Sequence, residues 1–240
     1  MLLNRKISVC IATYNGGSYI TNQLCSIFPQ LQQDDEIIIS DDSSSDNTLE
    51  LIKKLDDKRV KIFKNQKFNN PIFNFENALV HAIGDIIFLA DQDDVWMPNK
   101  VKTMLTYLEN SDLVLSDCTV VSEHDELLFS SFFEKNNSQA GLFKNLVNNS
   151  YMGCCMAFNR RILTKALPFP SDIPMHDWWI GLIAERFGKV FFCDKKLIAY
   201  RRHSNNASVS GGNSRYSWLK KMQFRIVMIK NLVKRNFSHE

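Results

Sequence analysis

A chain of 240 residues with 45% hydrophobic and 23% charged side chains has the make-up of an ordinary globular protein, with room for one large domain or one domain and a short appendage. No apolar run is long enough to cross a bilayer. Residues 1–15 carry neither an apolar h-region nor a small-residue cleavage site, so neither a membrane span nor a secretory leader is expected. The net charge of +3 is uneven: from Ser214 onward seven Lys/Arg stand against one Glu, whereas the rest holds 22 bases against 25 acids.

Short apolar runs alternate with helical spacing through the first half, the pattern of a mainly parallel sheet. Residues 7–13 read as a strand, followed by a helix carrying Ile20, Leu24, Ile27 and Leu31 on one face. Residues 36–40 are a second strand, and Leu51, Ile52 and Leu55 share a helix face after a Ser/Asp cluster. A third strand is expected at 60–63, a helix at 73–82 and a fourth strand at 86–90, whose unbroken apolarity buries both faces. A helix from Asn99 to about Asn110 and a fifth strand at 113–121 follow. The polar stretch 124–140 reads as a loop. Strand-like runs at 152–158, 190–193 and 197–200 complete the chain with helices near 161–167 and 178–187. One globular unit, 1–213, and a helical tail, 214–240, are the expected domains.

The six cysteines form no CxxC pair and no zinc spacing, so Cys10 and the adjacent Cys154 and Cys155 are expected to pack in the core of a protein kept reduced in the cytoplasm.

Three polar clusters follow strands, where α/β folds hold their ligands: Thr13-Tyr14-Asn15-Gly16-Gly17, Asp41-Asp42-Ser43-Ser44-Ser45-Asp46 and Asp91-Gln92-Asp93-Asp94. Singly, each is explained as a turn or a helix cap. Together they converge on one crevice. Three carboxylates within four residues repel one another unless protons or a cation intervene, and hard oxygen donors suit Mg²⁺ or Mn²⁺. No GxxxxGK[ST] is present, which excludes a P-loop.

The ordered set TYN, DDSSSDNT, ADQDDVW, HDWW and YRRH, over roughly residues 6–210, resembles the family 2 glycosyltransferases of GT-A fold. It is especially similar to the bacterial O-antigen and capsule branch that includes rhamnosyltransferases. The resemblance implies an α/β/α sandwich around a central, mostly parallel mixed sheet, with the basic amphipathic helix as an addition. It implies an inverting, metal-dependent transferase that moves a hexosyl or 6-deoxyhexosyl group from a UDP- or dTDP-sugar to a hydroxyl of a lipid-linked glycan, in the cytoplasm or at the inner face of the membrane. Nucleic acid is not an expected partner.

Residue by residue, the resemblance places Thr13, Tyr14 and Asn15 in the nucleotide pocket, Asp41 on the base and Asp42 nearby. Asp91-Gln92-Asp93 becomes the DXD element, with Asp93 on the metal (Mn²⁺ or Mg²⁺) and Asp91 on ribose or metal. Asp177 matches the catalytic base and His203 the late histidine that sometimes ligates the metal. Ser43 and Asn47 stand where the family commonly has glycine, which puts the loop's backbone in question.

Other features have two readings each. Asp177 also suits a helix-start acid, and His176 a neighbour that positions something. Trp178 and Trp179 cannot share one helix face, so one is expected on the sugar or in the acceptor cleft. Arg201 and Arg202 either hold the diphosphate or end a strand in solvent, and Asn69, Asn74 and Asn77 serve the site or cap helices. In the tail, Trp218, Met222, Ile226, Ile229 and Val233 form one helical stripe, with Lys220, Lys230 and Lys234 opposite. That helix either packs on the body with a basic outer face or lies on anionic lipid. Two rivals from other classes remain: a sugar nucleotidyltransferase, although Thr13–Gly17 lacks the basic phosphate loop it needs, and a non-catalytic nucleotide- or glycan-binding module.

Overall fold

The computed structural model describes residues 5–204, 206 and 216–237. The apolar runs of the first half become β1 (Ile7–Thr13), β2 (Glu36–Asp41) and β4 (Ile86–Ala90). Strands without alternation have no polar face to offer water, so they lie where helices cover both sides. The more polar β3 (Val60–Phe63) takes the edge beside β2. Between these strands run α1 (Ile20–Ile27), α2 (Thr48–Lys54) and α3 (Pro71–His81). Asn70 starts α3 by accepting from the Ile72 N–H at 2.9 Å, with Pro71 in the first turn, where no N–H is needed.

The second half supplies β5 (Val95–Trp96), α4 (Lys100–Leu108), β6 (Leu113–Ser122), β7 (Leu127–Phe129), α5 (Phe132–Asn136) and α6 (Leu142–Val147). It ends with β8 (Met156–Asn159), α7 (Arg160–Ala166), α8 (His176–Phe187), β9 (Val190–Arg202) and α9 (Trp218–Phe237). The strands join one sheet in the order β3-β2-β1-β4-β8-β6-β9-β5, with β7 on β6. β8 is antiparallel to both β4 and β6, so β1 to β4, β6 and β9 all run the same way. The chain leaves β1 towards β2 on one side and returns to β4 on the other. That reversal opens a crevice at the carboxyl ends of β1 and β4.

Three expectations are corrected. The segment 124–140, read as a loop, holds β7 and α5. The buried Asp117 of β6 fastens it by accepting from Ser131 Oγ (2.7 Å) and Phe133 N–H (3.0 Å). The run 152–158 splits into a 3₁₀ turn, Gly153–Cys155, and β8. The runs 190–193 and 197–200 are one strand, whose register against β6 shifts at Ser116–Asp117. All six cysteines are free thiols, and five are buried, as core packing requires.

Candidate active site

The crevice is a cleft of about 370 Å³. Its walls come from the ends of β1 and β4, the start of α3, the 3₁₀ turn before β8 and the start of α8. Thr13, Tyr14, Asp42, Asp91, Gln92, Asp93 and Asp177 of the expected site lie on it, with His176, Asn69 and Asn74. Asn15, Asp41, Trp178, Arg202 and His203 are not on its wall, and each has another place.

The loop after β1 is held by one amide. Gln92 Oε1 accepts from Tyr14 N–H at 2.9 Å, and Gln92 Nε2 donates to Tyr14 O at 3.1 Å. The approach needs glycine at position 16, because a Cβ there would sit 2.3 Å from Gln92 Oε1. Asn15, in a left-handed conformation (φ 48°), accepts from Ser45 N–H at 2.8 Å and so ties the first polar cluster to the second.

Asp41 is fully buried and spends its carboxylate on the loop, accepting from Thr13 Oγ1 (2.8 Å), Ser44 N–H (2.9 Å) and Ser44 Oγ (2.6 Å). Asp42 is on the cleft wall and accepts from Phe68 N–H at 2.6 Å. Ser43 does adopt the left-handed backbone (φ 63°) that glycine would take more cheaply, and its hydroxyl donates to Gln66 O. Asn47 does not (φ −80°).

The acidic turn after β4 is clamped from below by β9. Arg201, read as a solvated or diphosphate-binding arginine, is buried. Its N–H donates to Asp94 Oδ1 at 2.9 Å, its Nε donates to Asp93 O at 3.1 Å, and Nη2 pairs with Asp125 at 2.8 Å. His203 Nε2 lies 2.7 Å from Asp93 Oδ2, and its ring stacks on Tyr19 with centroids 5.0 Å apart. Asn206 Nδ2 donates to the same Asp93 oxygen at 3.3 Å. Burial, then the neighbouring carboxylates, push the Asp91 and Asp94 carboxyls up. Asp94 Oδ2 is buried with no hydrogen-bond partner. One ligand atom each from Asp91, Asp94 and Cys154 lie within 4.8 Å of one another. An orphaned carboxylate oxygen among crowded acids is what a divalent cation would relieve, so the residues present fit one.

On the same cleft, and close enough for its charge to raise the Asp91 carboxyl, Asp177 stands in the first turn of α8. Its Oδ1 accepts from Trp178 N–H at 2.6 Å and its Oδ2 from Gly153 N–H at 3.2 Å. Burial pushes its carboxyl up to about 7, against the pull of those backbone donors. His176 stacks on Phe75 (centroids 4.2 Å apart), neither ring nitrogen has a partner, and burial pushes its pKa down to about 3, so it is neutral. The expectation that one indole faces sugar meets a different arrangement. Trp179 is wholly buried and donates to Ala166 O at 2.9 Å, and half-buried Trp178 donates to Asn145 O of α6 at 2.8 Å. Gly153 and Asn206 escaped the sequence reading. Gly153 lies in a run read as strand, and Asn206 only three residues beyond YRRH could have been found as the next polar group.

Comparison with known proteins agrees with this geometry. The sequence pattern of Glycosyl transferase family 2 matches residues 8–167. The chain is 28% identical over 212 residues to the dTDP-rhamnosyl transferase RfbG of Shigella flexneri, covering 82% of this chain and 72% of that one. It is 34% identical over 203 residues to the GalNAc(5)-diNAcBac-PP-undecaprenol beta-1,3-glucosyltransferase of Campylobacter jejuni, covering 82% and 64%. In fold it is similar to S. aureus TarS 1-349 in complex with UDP-GlcNAc, with a TM-score of 0.72 at 20% identity over 94% of this chain and 67% of that one. Glucosyl-3-phosphoglycerate synthase from Mycobacterium tuberculosis, solved with Mn²⁺, UDP and phosphoglyceric acid, gives a TM-score of 0.60 at 22% identity over 98% and 79%.

Proposed function

The chain belongs to Glycosyl transferase family 2, and from that premise we propose that it moves a hexosyl or 6-deoxyhexosyl group from a UDP- or dTDP-sugar to a hydroxyl of a lipid-linked glycan, with inversion. It is a glycosyltransferase of GT-A fold that draws on nucleotide-sugar donors, which removes the nucleotidyltransferase and pure binding-module alternatives. The observation that carries the proposal is that one cleft brings the acidic turn Asp91–Asp93 together with Asp177, whose pKa lies near neutrality and whose charge is close enough to raise the Asp91 carboxyl.

Donor binding is assigned to the β1 and β2 loops. Thr13 and Tyr14 border the nucleotide, with the Tyr14 backbone set by Gln92. Asp42, on the wall, is placed to meet the base or ribose. Buried Asp41 and Asn15 act one step back by fixing the loop. Asp91 and Asp93 on the cleft wall, with His203 behind Asp93, would hold Mn²⁺ or Mg²⁺, and the unpartnered Asp94 oxygen that clusters with Asp91 would add to the negative charge drawing the ion. When bound, the ion neutralises the diphosphate and so stabilises it as a leaving group. Arg202, half-buried at the end of β9, is assigned to the donor side.

The acceptor O–H gives its proton to Asp177 as its oxygen attacks the anomeric carbon. The bond from that carbon to the diphosphate oxygen breaks, and the nucleoside diphosphate departs with the electron pair. One base and one acidic, diphosphate-side turn on the same cleft fit this single displacement. His176, neutral and stacked beside Asp177, adds no competing positive charge, and Trp178 holds the start of α8 against α6. The lipid-linked acceptor is supported by the undecaprenol in the Campylobacter relative's name, and the 6-deoxyhexosyl option by the Shigella one. The free thiols support a reducing compartment, the cytoplasm. The test is a panel of nucleotide sugars with Mn²⁺ and lipid-linked acceptors, scored by release of UDP or dTDP. Release from no member of the panel would overturn the proposal.

A further inference from the structure

The tail helix meets the body with the face that its apolar stripe does not occupy. At about 100° per residue, Trp218, Met222, Ile226, Ile229 and Val233 fall within an arc of about 80°, with Leu219 at its margin. All of them are exposed: Trp218 is 70% accessible, Leu219 73% and Ile226 61%. Met228 (0% accessible), Leu232 and Asn231, which lie from about 80° to about 180° round from the centre of the stripe, pack inward. Five hydrogen bonds fasten the helix to the body, one of them from Arg235 to Pro168 O. Asn231 Nδ2 donates to Asp172 at 2.7 Å, Arg235 donates to Leu167 O at 2.7 Å, and Arg225 donates to Leu146 O (3.1 Å) and Val147 O (2.6 Å). A soluble helix turns its apolar stripe inward. This one is gripped by its body face and still shows a second apolar face to solvent.

The exposed stripe continues onto a neighbour. Arg225 reaches Val147 O with one nitrogen and Met222 Sδ (3.8 Å) with another, so the edge of the stripe adjoins the end of α6. There Phe143 (81% accessible) and Val147 (66%) are also exposed, one helical turn apart. Between the stripe and the body face lie Lys230, Lys234 and Lys220. Residues 216–237 contain six Lys/Arg and no acid. Asp172, paired with Asn231 and 3.6 Å from Lys230, meets the helix from the body, and Glu76 faces Arg235. No helix of the described residues is long and apolar enough to cross a membrane.

We propose that this surface, the outer stripe of α9 with Phe143 and Val147 of α6, docks on an anionic lipid bilayer. An exposed patch of this kind marks an interaction site. Lys230 borders the stripe, with Lys234 and Lys220 further round, and the helix carries no acid among its described residues; this positive charge complements lipid phosphate, and Trp218 supplies an interfacial anchor. The same α6 that extends the patch also receives the Trp178 N–H through Asn145 O, next to Asp177. The docked face and the assigned acceptor side of the cleft are therefore joined by one short helix. A lipid-linked acceptor, which rests on the function proposed above, would reach the base from that side. The docking itself does not depend on it.

The test uses the full chain and no sugar, so its outcome is independent of transfer activity. Sedimentation with vesicles of phosphatidylcholine and phosphatidylglycerol, roughly 3:1, is compared with phosphatidylcholine alone. Binding is expected to the anionic vesicles only, to weaken as NaCl rises from about 0.1 to about 0.5 M, and to shift Trp218 emission to the blue. The triple variant Ile226→Ser/Ile229→Ser/Val233→Ser should bind about tenfold or more weakly. Phe143→Ser/Val147→Ser, on a separate element, should bind several-fold more weakly, which keeps the test decisive if the triple variant does not fold. Three results would overturn the proposal: no vesicle binding by the wild type, unchanged binding by both variants, or a dimer that the variants convert to monomer without any vesicle binding. The last would assign the face to a second copy.

Discussion

Replacing Asp177 by Asn separates what its carboxyl does for the reaction from what it costs the fold. Burial raises its pKa from 3.8 to about 7, so as pH climbs the unfolded chain ionises first and the folded state falls behind. Stability is therefore lost between pH 3.8 and about 7, and the loss is constant above that. At ~1.4 kcal/mol per pH unit the loss is at most about 1.6 kcal/mol at pH 5 and about 4 kcal/mol at pH 8. Asn removes that cost but offers one oxygen where the carboxylate served the Trp178 and Gly153 N–H groups. One of them is left unpaired, at ~1–3 kcal/mol. The variant should thus be near wild-type stability at pH 5 and more stable at pH 8. With ~2–4 °C per kcal/mol for a chain of this size, its melting temperature relative to wild type should rise by roughly 5–10 °C across that range. Transfer should fall about 10²–10⁴-fold, and wild-type kcat/KM should climb with pH through about 7. Thermal melts from pH 5 to 8 and nucleotide release, on one preparation, measure both. A melting difference that does not change with pH, or turnover retained per folded molecule, would refute the reasoning.

Asp93→Ala should lower nucleotide affinity in the presence of Mn²⁺ without unfolding the protein, and equal affinity of the wild type in excess EDTA, read by calorimetry, would remove the metal from the acidic turn. Gln92→Ala frees the Tyr14 backbone of both its bonds, so nucleotide affinity should drop about tenfold, the worth of one to two net hydrogen bonds. Gly153→Ala would bring a Cβ to 3.2 Å from His176 Nε2 and 3.6 Å from the Asp177 Cβ. The tight contact falls on the His176 ring, next to the base, and the shift it forces should lower kcat about tenfold with nucleotide affinity kept, in a steady-state assay beside a binding titration.

What could be read in the sequence follows its physics. Mainly apolar runs marked β1 and β4 to the residue, because a strand buried on both faces carries few polar groups, and the shorter β3, interrupted by Lys61 at the sheet edge, has the same bounds as expected. β7 and α5, just after β6, were hidden because their cohesion is polar. Asp117, Ser131 and the Phe133 N–H hold a segment whose composition resembles solvent-exposed loop. The same distinction governs the site. Its carboxylates stood out as clusters, but only the fold separates Asp42, on the wall, from Asp41, spent on Thr13 and Ser44. Arg201 read either as a diphosphate ligand or as a solvated strand end because no local pattern reveals that Asp93 and Asp94, more than a hundred positions earlier, come to lie against it.

The stripe of α9 shows where periodicity runs out as a guide. A stripe of apolar residues at helical spacing establishes that a face is apolar, and says nothing of which neighbour it meets. In this chain the body is met by Met228, Leu232 and Asn231 together with Arg225 and Arg235, two arginines whose guanidinium groups donate to carbonyl oxygens on α6 and beyond α7. Polar anchoring of this kind binds a helix to a surface without using its hydrophobic stripe. The consequence is testable in the body as well as on vesicles. Arg225→Ala/Arg235→Ala removes four donated bonds and should loosen α9, lowering the melting temperature by several degrees at ~2–4 °C per kcal/mol, whereas serines placed in the outer stripe should leave it almost unchanged. If the serine variant melts earlier and the alanine variant does not, the stripe is holding the fold, and the assignment of inner and outer faces is reversed.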